Sequence, residues 1–491
     1  MKTLRERFTS GLYAEAGAMR IPTTHKLTDW LVKNVLGLGP SRLWKFINES
    51  DNAHFFINKV HKTVKEAREE NCTFGLLKPG IKPDKAPDKM LIGAIERLMV
   101  KEEKIKTPFS QLNPESSEFR QMRIRLDHYS LATFLSDADL WHPIVPEEQW
   151  YPNYIASVLN LEALLPVSMA AIFDALYIFG QEEFYQIPDG MDRLPKAFVD
   201  DSGDGKVKPN LWSSLRYNRR VTEIIEDVER DKPIFVRYEN PATSHGNDYE
   251  KAIDEKWFDL VVIAIPFSAL RRVLMTNTES SSEKQRAIRQ LHYQNSCKVI
   301  LEFSDIPTAD ILWFRKGRGE IVGGKSYTDL PIRQIVYPSR DQMERGRNRA
   351  VLLASYTLGT DSLRWTSLPP RDRLRFALRD VAQVHKIVEP RKIEEFNKAC
   401  IGGMSHSWVE DEFTAGAFAM FAPSQLSGLF ASVWTSEGRI HYCGEHTSLK
   451  HGWIEGAVES GIRAACEVCE RISPDGTILE AEPRTRNIQY I

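Results

Sequence analysis

The chain of 491 residues is short of cysteine, has no excess of either charge, holds no long apolar run and carries no glycine-rich phosphate turn. Each absence removes a class of protein. Six cysteines in so long a chain do not make a disulfide framework, and Cys466 with Cys469, spaced CxxC in a helical pattern, has no second pair to complete a metal site. That favours reduced, structural thiols. With 65 Lys and Arg against 67 Asp and Glu the net charge is -2, so there is no basic field for a phosphate backbone, and nucleic acid is not an expected partner. No apolar run is long enough to cross a bilayer, and the opening MKTLRERF lacks the apolar stretch of a signal peptide. No membrane association and a cytoplasmic location are expected. A dinucleotide-binding GxGxxG should open a helix from a buried strand, and three near-matches fail: GLGPSR has Arg42, GDGKVK has Lys208 and GRGEIV has Val322 where the last glycine belongs. A Ser-His-Asp hydrolase lacks its GxSxG. No metal is expected, because His446 and His451 are not one helical turn apart and no Cys or carboxylate completes a ligand set.

What is present is an ordinary globular composition, 42% hydrophobic, in a chain longer than one core usually supports. Two or more lobes are expected. From Leu27 to Ala138 the pattern is mainly helical, with NAHFFINKVHKTVKEAREE showing apolar spacings of three and four, interrupted by the loop LLKPGIKPDKAPDK. LEALLPVSMAAIFDALYIF predicts a further apolar helix that carries Asp174. IPDGMDRLPKAF reads as a loop entering a helix, RRVTEIIEDVERDKPIFVRYEN as two half-buried strands, and FDLVVIAIPFSALRRVL as a strand buried on both faces that leads into a helix. The β-rich stretches HYQNSCKVILEF, RQIVYP and AVLLASYTLG follow, then a helix around RDRLRFALRDVAQVH. The α/β pieces are split along the chain, so two interleaved domains are expected.

Near the C-terminus RIHYCGE reads as a short strand ending in a turn at Gly444, and GWIEGAVESGIRAACEV as a helix starting near Trp453. Gly456, Ala457, Ser460, Gly461 and Ala464 are small residues where a core would hold bulk. Residue types alone leave two readings open. One is close helix-to-strand packing; the other is room for a flat ligand at a helix N-terminus, whose amides suit an anion or a carbonyl oxygen. Glu445 and Trp453 tilt toward a ligand, the acid able to accept from hydroxyls and the aromatic able to wall a planar ring.

GEHTSLKHGWIEGAVESGIRAA closely resembles the C-terminal flavin motif of the flavin amine oxidase family, in particular its L-amino acid oxidases. GLYAEAGAMRIPTTHKL, ESDNAHFFINKV, DGMDRLPKAF, CKVILEF, GGKSYTDLPIRQIVYPS and ASYTLGTDSLRW resemble blocks of that family in the same order, over nearly the whole chain. The resemblance implies a mixed α/β fold of two interleaved domains: an FAD-binding α/β domain lacking its first βαβ unit and a substrate domain with mixed sheet, plus a helical region. The implied segments are an FAD-domain remnant with the carboxylate loop (1–26), a helical domain (27–150), substrate-domain helices (151–188), FAD-binding domain (189–275), substrate-binding domain (276–430), the C-terminal FAD motif (431–472) and a tail (473–491).

The implied activity is oxidation of an L-amino acid by FAD. A hydride leaves the alpha carbon for flavin N5, the imino acid hydrolyses to a 2-oxo acid and ammonia, and oxygen is reduced to hydrogen peroxide. By resemblance Arg20, in GAMRIP, clamps the substrate carboxylate with a guanidinium fork, and Tyr356 joins it. Gly452 lets the amine approach the backbone, Trp453 walls the cavity, and Leu358 and Phe418 line a pocket for a bulky apolar side chain. Asp174 is either a helix-face acid reaching solvent or, facing the cavity, a selector of a cationic side chain. Lys298 is the catalytic candidate, through a water to flavin N5; a snorkelling strand-edge lysine is the alternative. Contacts with FAD fall to Gly17, Ala18, Met19 and Arg20, to Val221 beside the adenine, to Glu445 at the ribityl chain, and to Gly444, Gly452, Trp453 and Ile454. The FAD is expected to be non-covalent, since Ala417 stands in FTAGAFAMF where monoamine oxidases carry a cysteine, and Cys443 lies in another block. The expected partners are the L-amino acid and oxygen, with a homo-oligomer or a complementing N-terminal chain.

One departure from the family pattern divides the functional readings. The strand, GxGxxG turn and helix that hold the ADP half of FAD are absent, and Met1 falls just after the place where the Gly-Gly-Arg segment that follows them would end. The chain is therefore expected either to be an L-amino acid oxidase whose missing module comes from elsewhere, or to be an inactive relative that binds a ligand or partner.

Overall fold

The computed structural model describes residues 1–77, 85–141, 152–181, 183–199, 211–227, 229–230, 233–240, 253–305, 312–314, 319–345 and 348–472. It is mixed α/β and divides into two compact units. One comprises Met1–Thr24, Leu38–Arg193 and Gln294–Glu410; the other comprises His25–Gly37, Leu194–Tyr293 and Asp411–Ile491. The seven sequence segments regroup accordingly, with most of 1–26, 27–150, 151–188 and 276–430 in the first unit. The tail 473–491 and the stretch GDGKVK lie outside the described residues.

The first unit is built on a seven-stranded sheet in the order Cys400–Ser407, Ser296–Ser304, Arg349–Leu358, Gln334–Val336, Lys325–Thr328, His54–Ile57, Val60–Thr63. Its pairs are antiparallel except Lys325–Thr328 with His54–Ile57. Strand side chains alternate between faces. Cys297, Val299, Leu301 and Phe303 enter a core closed by Trp365, Ala377, Val381 and Phe396 from the helices Gly359–Thr366, Pro370–Val384 and Pro390–Ala399. Burial of each large side chain there is worth ~1.5–3 kcal/mol, and this fixes the register, because a slip of one residue would drive Lys298 into that core. The register sets Lys298 opposite Tyr356, Ile300 opposite Leu353 and Lys325 opposite Val336, all on the other face. Leu4, Phe8, Leu12 and Ala16 of the N-terminal segment pack there against Ile300.

NAHFFINKVHKTVKEAREE is not the helix that its spacing suggests. His54–Ile57 and Val60–Thr63 form a hairpin whose turn residues, Asn58 and Lys59, have φ of 49° and 63°, as a type I′ turn requires. Only Val64–Glu69 is helical, opened by a Thr63–Glu66 capping box. Aromatic and β-branched residues on both sides of the turn outweigh a coincidental three-and-four spacing. LEALLPVSMAAIFDALYIF is likewise split: a short turn at Glu162–Leu164 ends before Pro166, and the helix runs only from Met169 to Gln181, since proline removes an amide and restricts the residue before it.

The second unit holds a four-stranded sheet, Ile253–Phe258, Ile234–Glu239, Arg220–Glu226, Leu274–Thr276, and a parallel pair, Val261–Ile263 with Ile440–Tyr442. The expectation of a strand buried on both faces fails at Val262, which is 43% exposed. Parallel strands are doubly buried only where both faces are covered, and here one face is open among the described residues. The helix Ile454–Glu470 buries Gly456, Ser460, Arg463 and Ala464. No described helix is long and apolar enough to cross a membrane.

Candidate active site

Arg20 precedes the strand Ile21–Pro22, which pairs with Phe184–Gln186, itself paired with Trp44–Phe46. That small sheet sets Phe46 opposite Phe184. The Arg20 guanidinium lies 5.2 and 5.4 Å from those two ring centroids and 4.7 Å from that of Phe179, on the helix Met169–Gln181. Among the described residues its single side-chain hydrogen bond goes to Asn48 Oδ1 at 3.2 Å, and no carboxylate pairs with it. Burial pulls its pKa below the ordinary value, with Tyr356 and Tyr327 opposing, but a guanidinium stays charged. A cationic fork with most of its donors unused among the described residues, set beside phenyl rings, has the chemistry to take a carboxylate.

Tyr356 and Lys298 are cross-strand neighbours, with Lys298 Nζ 4.9 Å from the Tyr356 ring. Lys298 is 2% exposed in a strand paired on both sides, so the snorkelling alternative does not hold. Its ammonium donates to the carbonyls of Gly17 (2.7 Å) and Glu15 (3.0 Å). Burial lowers its pKa to about 7, Glu15 raising and Arg20 lowering it further. The Glu15 carboxyl accepts from Met191 N and Thr3 Oγ1 at 2.8 and 2.9 Å, and burial raises it to about 7. The Tyr356 hydroxyl makes no hydrogen bond among the described residues, and burial pushes its pKa up against the pull of Arg20. Leu358 shares the Tyr356 face, opposite Ser296. A β-carbon at Gly17 would come 3.3 Å from the Trp408 ring, whose Nε1 donates to Ala16 O at 2.9 Å, so the glycine lets this segment pass under the indole. Ala18 follows, half-buried, and Met19 lines a cleft with Tyr13, Trp44, Phe46, Val336 and Leu353.

Asp174 is neither a solvent-facing acid nor free to select a cationic substrate. It is paired at 2.7 Å with Arg123 of the helix Ser117–Asp127. Burial raises its pKa and Arg123 lowers it; a half-buried carboxylate persists by taking such a partner.

In the second unit the Glu445 carboxylate accepts from Ala419 N and Gly452 N, both at 2.8 Å, and burial raises its pKa to about 7. It thereby ties the strand Phe418–Ala419 to the loop before the long helix. Gly452 has φ +76° and a β-carbon there would meet the Phe418 ring at 3.3 Å. Gly444, at φ +127°, is hemmed in by His446, and Gly456 lies against Ser448 and Lys450. Much of the glycine pattern therefore serves close packing. What stays open is the strip over exposed Ala457 and over Gly461, whose missing β-carbon has nothing within 4 Å. Trp453 is the N-cap of Ile454–Glu470, supplies no side-chain cap, and meets His25 edge-on at 5.1 Å. The first amides of that helix lack a capping side chain. Val221 sits in the other sheet of this unit, opposite Tyr238.

Sequence reasoning missed Lys325, Tyr327 and Asn48 near Arg20, and the buried Glu455, which accepts from Leu27 N, Thr28 N and Thr28 Oγ1 at 3.1, 2.8 and 2.8 Å. For Lys325 a signal existed in the paired glycines before a lone strand lysine.

The family model described as flavin containing amine oxidoreductase matches residues 2–469. The chain belongs to the flavin-containing amine oxidoreductases. Among relatives, a Bacillus subtilis protein named "Putative L-amino-acid oxidase YobN" is 30% identical over 95% of this chain and 86% of its own length. The L-amino-acid oxidase of Vipera ammodytes ammodytes is 28% identical over 93% and 83%, and that of Siganus canaliculatus 27% over 93% and 76%. In fold the chain is similar to cyclohexylamine oxidase from Brevibacterium oxydans, with TM-score 0.62 and 16% identity over 95% of this chain and 89% of that one. A putrescine oxidase gives 0.61 and 15% over 94% and 90%. Membership makes the protein an oxidoreductase of amines with a flavin cofactor. The residues of the second unit fit the ring end of such a group, since an uncapped helix start and an open small-residue strip offer donors and a flat surface. No GxGxxG turn is in the sequence for its pyrophosphate.

Proposed function

We propose that the protein oxidatively deaminates an L-amino acid to a 2-oxo acid, ammonia and hydrogen peroxide, using FAD held without a covalent bond. The observation that carries this reading is Arg20, a caged cation with one hydrogen bond and no counter-ion among the described residues. Arg20 and the unbonded Tyr356 hydroxyl bind the substrate carboxylate, which orients the amine and the alpha C–H. The buried Phe46 and Phe184 lower the polarity on their side of that ion pair and strengthen it. Lys298, anchored on two carbonyls with a pKa of about 7, holds or releases a proton at Nζ near neutral pH. Gly452, Trp453, Ile454 and Glu445 are the residues assigned to the flavin ring end, with Gly444 in their turn, Gly17, Ala18 and Met19 from the N-terminal segment, Val221 at the adenine and Phe418 with Leu358 at the side-chain pocket. Bound FAD supplies the two-electron acceptor that oxygen regenerates. Non-covalent binding is supported by Cys443, which is buried with its thiol pKa pushed up by that burial, a poor nucleophile.

The test is peroxide and ammonia release from L- and D-amino acids by the FAD-loaded chain and by Arg20→Ala. Loss of a charge-assisted carboxylate contact, worth about 2–5 kcal/mol, should lower kcat/KM ~30-fold or more with flavin absorbance unchanged. Unaltered kinetics would remove Arg20 from the role. A second reading is a relative that binds amino acids without turnover; a colourless protein that still binds them through Arg20 would favour it.

A further inference from the structure

Lys325 opens the strand Lys325–Thr328 on the sheet face that carries Lys298 and Tyr356. Gly323 and Gly324 precede it at φ 62° and 78°, and a β-carbon on either would come within 2.5 Å of Ile47 or Ser50. The strand start is thus pinned to the loop 47–50, which also supplies Asn48, the hydrogen-bond partner of Arg20. Lys325 Nζ and Arg20 Cζ approach the same ring, that of Phe179, at 5.7 and 4.7 Å from its centroid. Lys325 Nζ makes no hydrogen bond and no ion pair among the described residues. Glu49 is the acid whose charge reaches it, but the Glu49 side chain is 79% exposed and lies 3.4 Å from Arg68. With the Arg20 cation on the same ring and no acid bonded to Lys325 among the described residues, a charge on Lys325 is unfavourable until a ligand with two negative groups compensates both side chains.

We propose that Lys325 forms a second anion subsite beside Arg20, and that the substrate is a dicarboxylic amino acid of the aspartate and glutamate class. This rests on the amino-acid oxidase reading: Arg20 takes the alpha-carboxylate and Lys325 the side-chain carboxylate. The competing selectors are weaker, since Asp174 is taken by Arg123 and Leu358 offers only apolar contact. A consequence separates this subsite from simple packing. Burial and Arg20 hold the Lys325 pKa well below the lysine range, with Glu49 opposing. Charging Lys325 on binding therefore takes up a proton, and dicarboxylate binding weakens as pH rises through the free-state pKa.

The test is calorimetric binding of L-glutamate, L-aspartate and L-leucine to the full chain at about pH 6 and about pH 9, in buffers of different ionisation enthalpy, chosen to straddle the neutral range. The dicarboxylates should bind ~10-fold or more tightly than L-leucine at the lower pH, and their binding at the higher pH should be weaker and accompanied by proton uptake. Lys325→Met should weaken dicarboxylate binding ~10- to 100-fold and leave L-leucine within ~2-fold. Lys325→Arg, always charged, should keep the preference and lose the pH dependence; it decides the matter even if the Met variant fails to fold. Equal wild-type affinity for L-glutamate and L-leucine, or a preference that survives Lys325→Met, overturns the subsite and leaves amino-acid oxidation standing. Amino-acid binding unaffected by Arg20→Ala would instead sink the reading on which the subsite rests.

Discussion

In the first unit Arg20 uses one donor, while Lys325 and the Tyr356 hydroxyl use none among the described residues; in the second, each carboxylate oxygen of Glu445 and Glu455, and the hydroxyl of Ser460, is bonded to the protein's own chain. Buried polar groups are normally satisfied. Where they are satisfied internally, as around Glu445, the residues are scaffold that fixes a loop. Where they are not, as at the half-buried Arg20, Lys325 and Tyr356, water or a ligand can take the open place. The distinction is energetic and can be broken: removing a scaffold group costs stability, whereas removing a ligand group costs affinity and little else.

The largest expected loss of stability is at Glu455. Glu455→Ala leaves three donors at the start of the helix Lys26–Asn34 without their acceptor. Hydrogen bonds to a charged group and the penalty for stranded donors together predict a loss on the order of 3 kcal/mol in urea unfolding. A loss below ~1 kcal/mol would mean that water replaces the carboxylate and that the scaffold side of the comparison is weaker than drawn.

A smaller effect is expected at Gly452. Gly452→Ala places a β-carbon at φ +76°, 3.3 Å from the Phe418 ring. Left-handed backbone costs a non-glycine residue about 1–2 kcal/mol. The unfolding midpoint should fall accordingly, and an unchanged midpoint would mean that the glycine is kept for a ligand alone.

These contrasts also show what a sequence can carry. The strands around Lys298 and Tyr356 are legible because alternation is local, and Arg20 stands out in sequence because it sits inside a motif. The hairpin at Asn58 and Lys59 is misread because three-and-four spacing arises by chance in a two-faced strand pair, while the turn chemistry that decides it lies in two residues. Glu455 as a cap joins positions 428 apart, and the fate of Asp174 depends on a helix 51 residues away. No local pattern encodes such pairs. Lys325 is the instructive case, since its lack of a partner is a property of everything packed around it.

The smallest expected change in stability is at Arg20 itself, and it sharpens the comparison most. In the ligand-free chain the guanidinium is half-buried with no counter-ion among the described residues, so Arg20→Met removes a desolvation cost along with one hydrogen bond to Asn48 and the contacts with three phenyl rings. Cation–π contacts are each worth roughly 0.5–2 kcal/mol and a hydrogen bond to a charged group about 1.5–3 kcal/mol, which the methionine side chain partly replaces by packing on the same rings. The terms nearly cancel, and the net change should lie within about 1 kcal/mol, the scale of a single ordinary hydrogen bond. Urea unfolding of the flavin-free chain measures it. A loss near that of Glu455→Ala would place Arg20 with the scaffold. A near-zero change, alongside collapsed amino-acid binding, would show that the energy of this cation is held for its carboxylate.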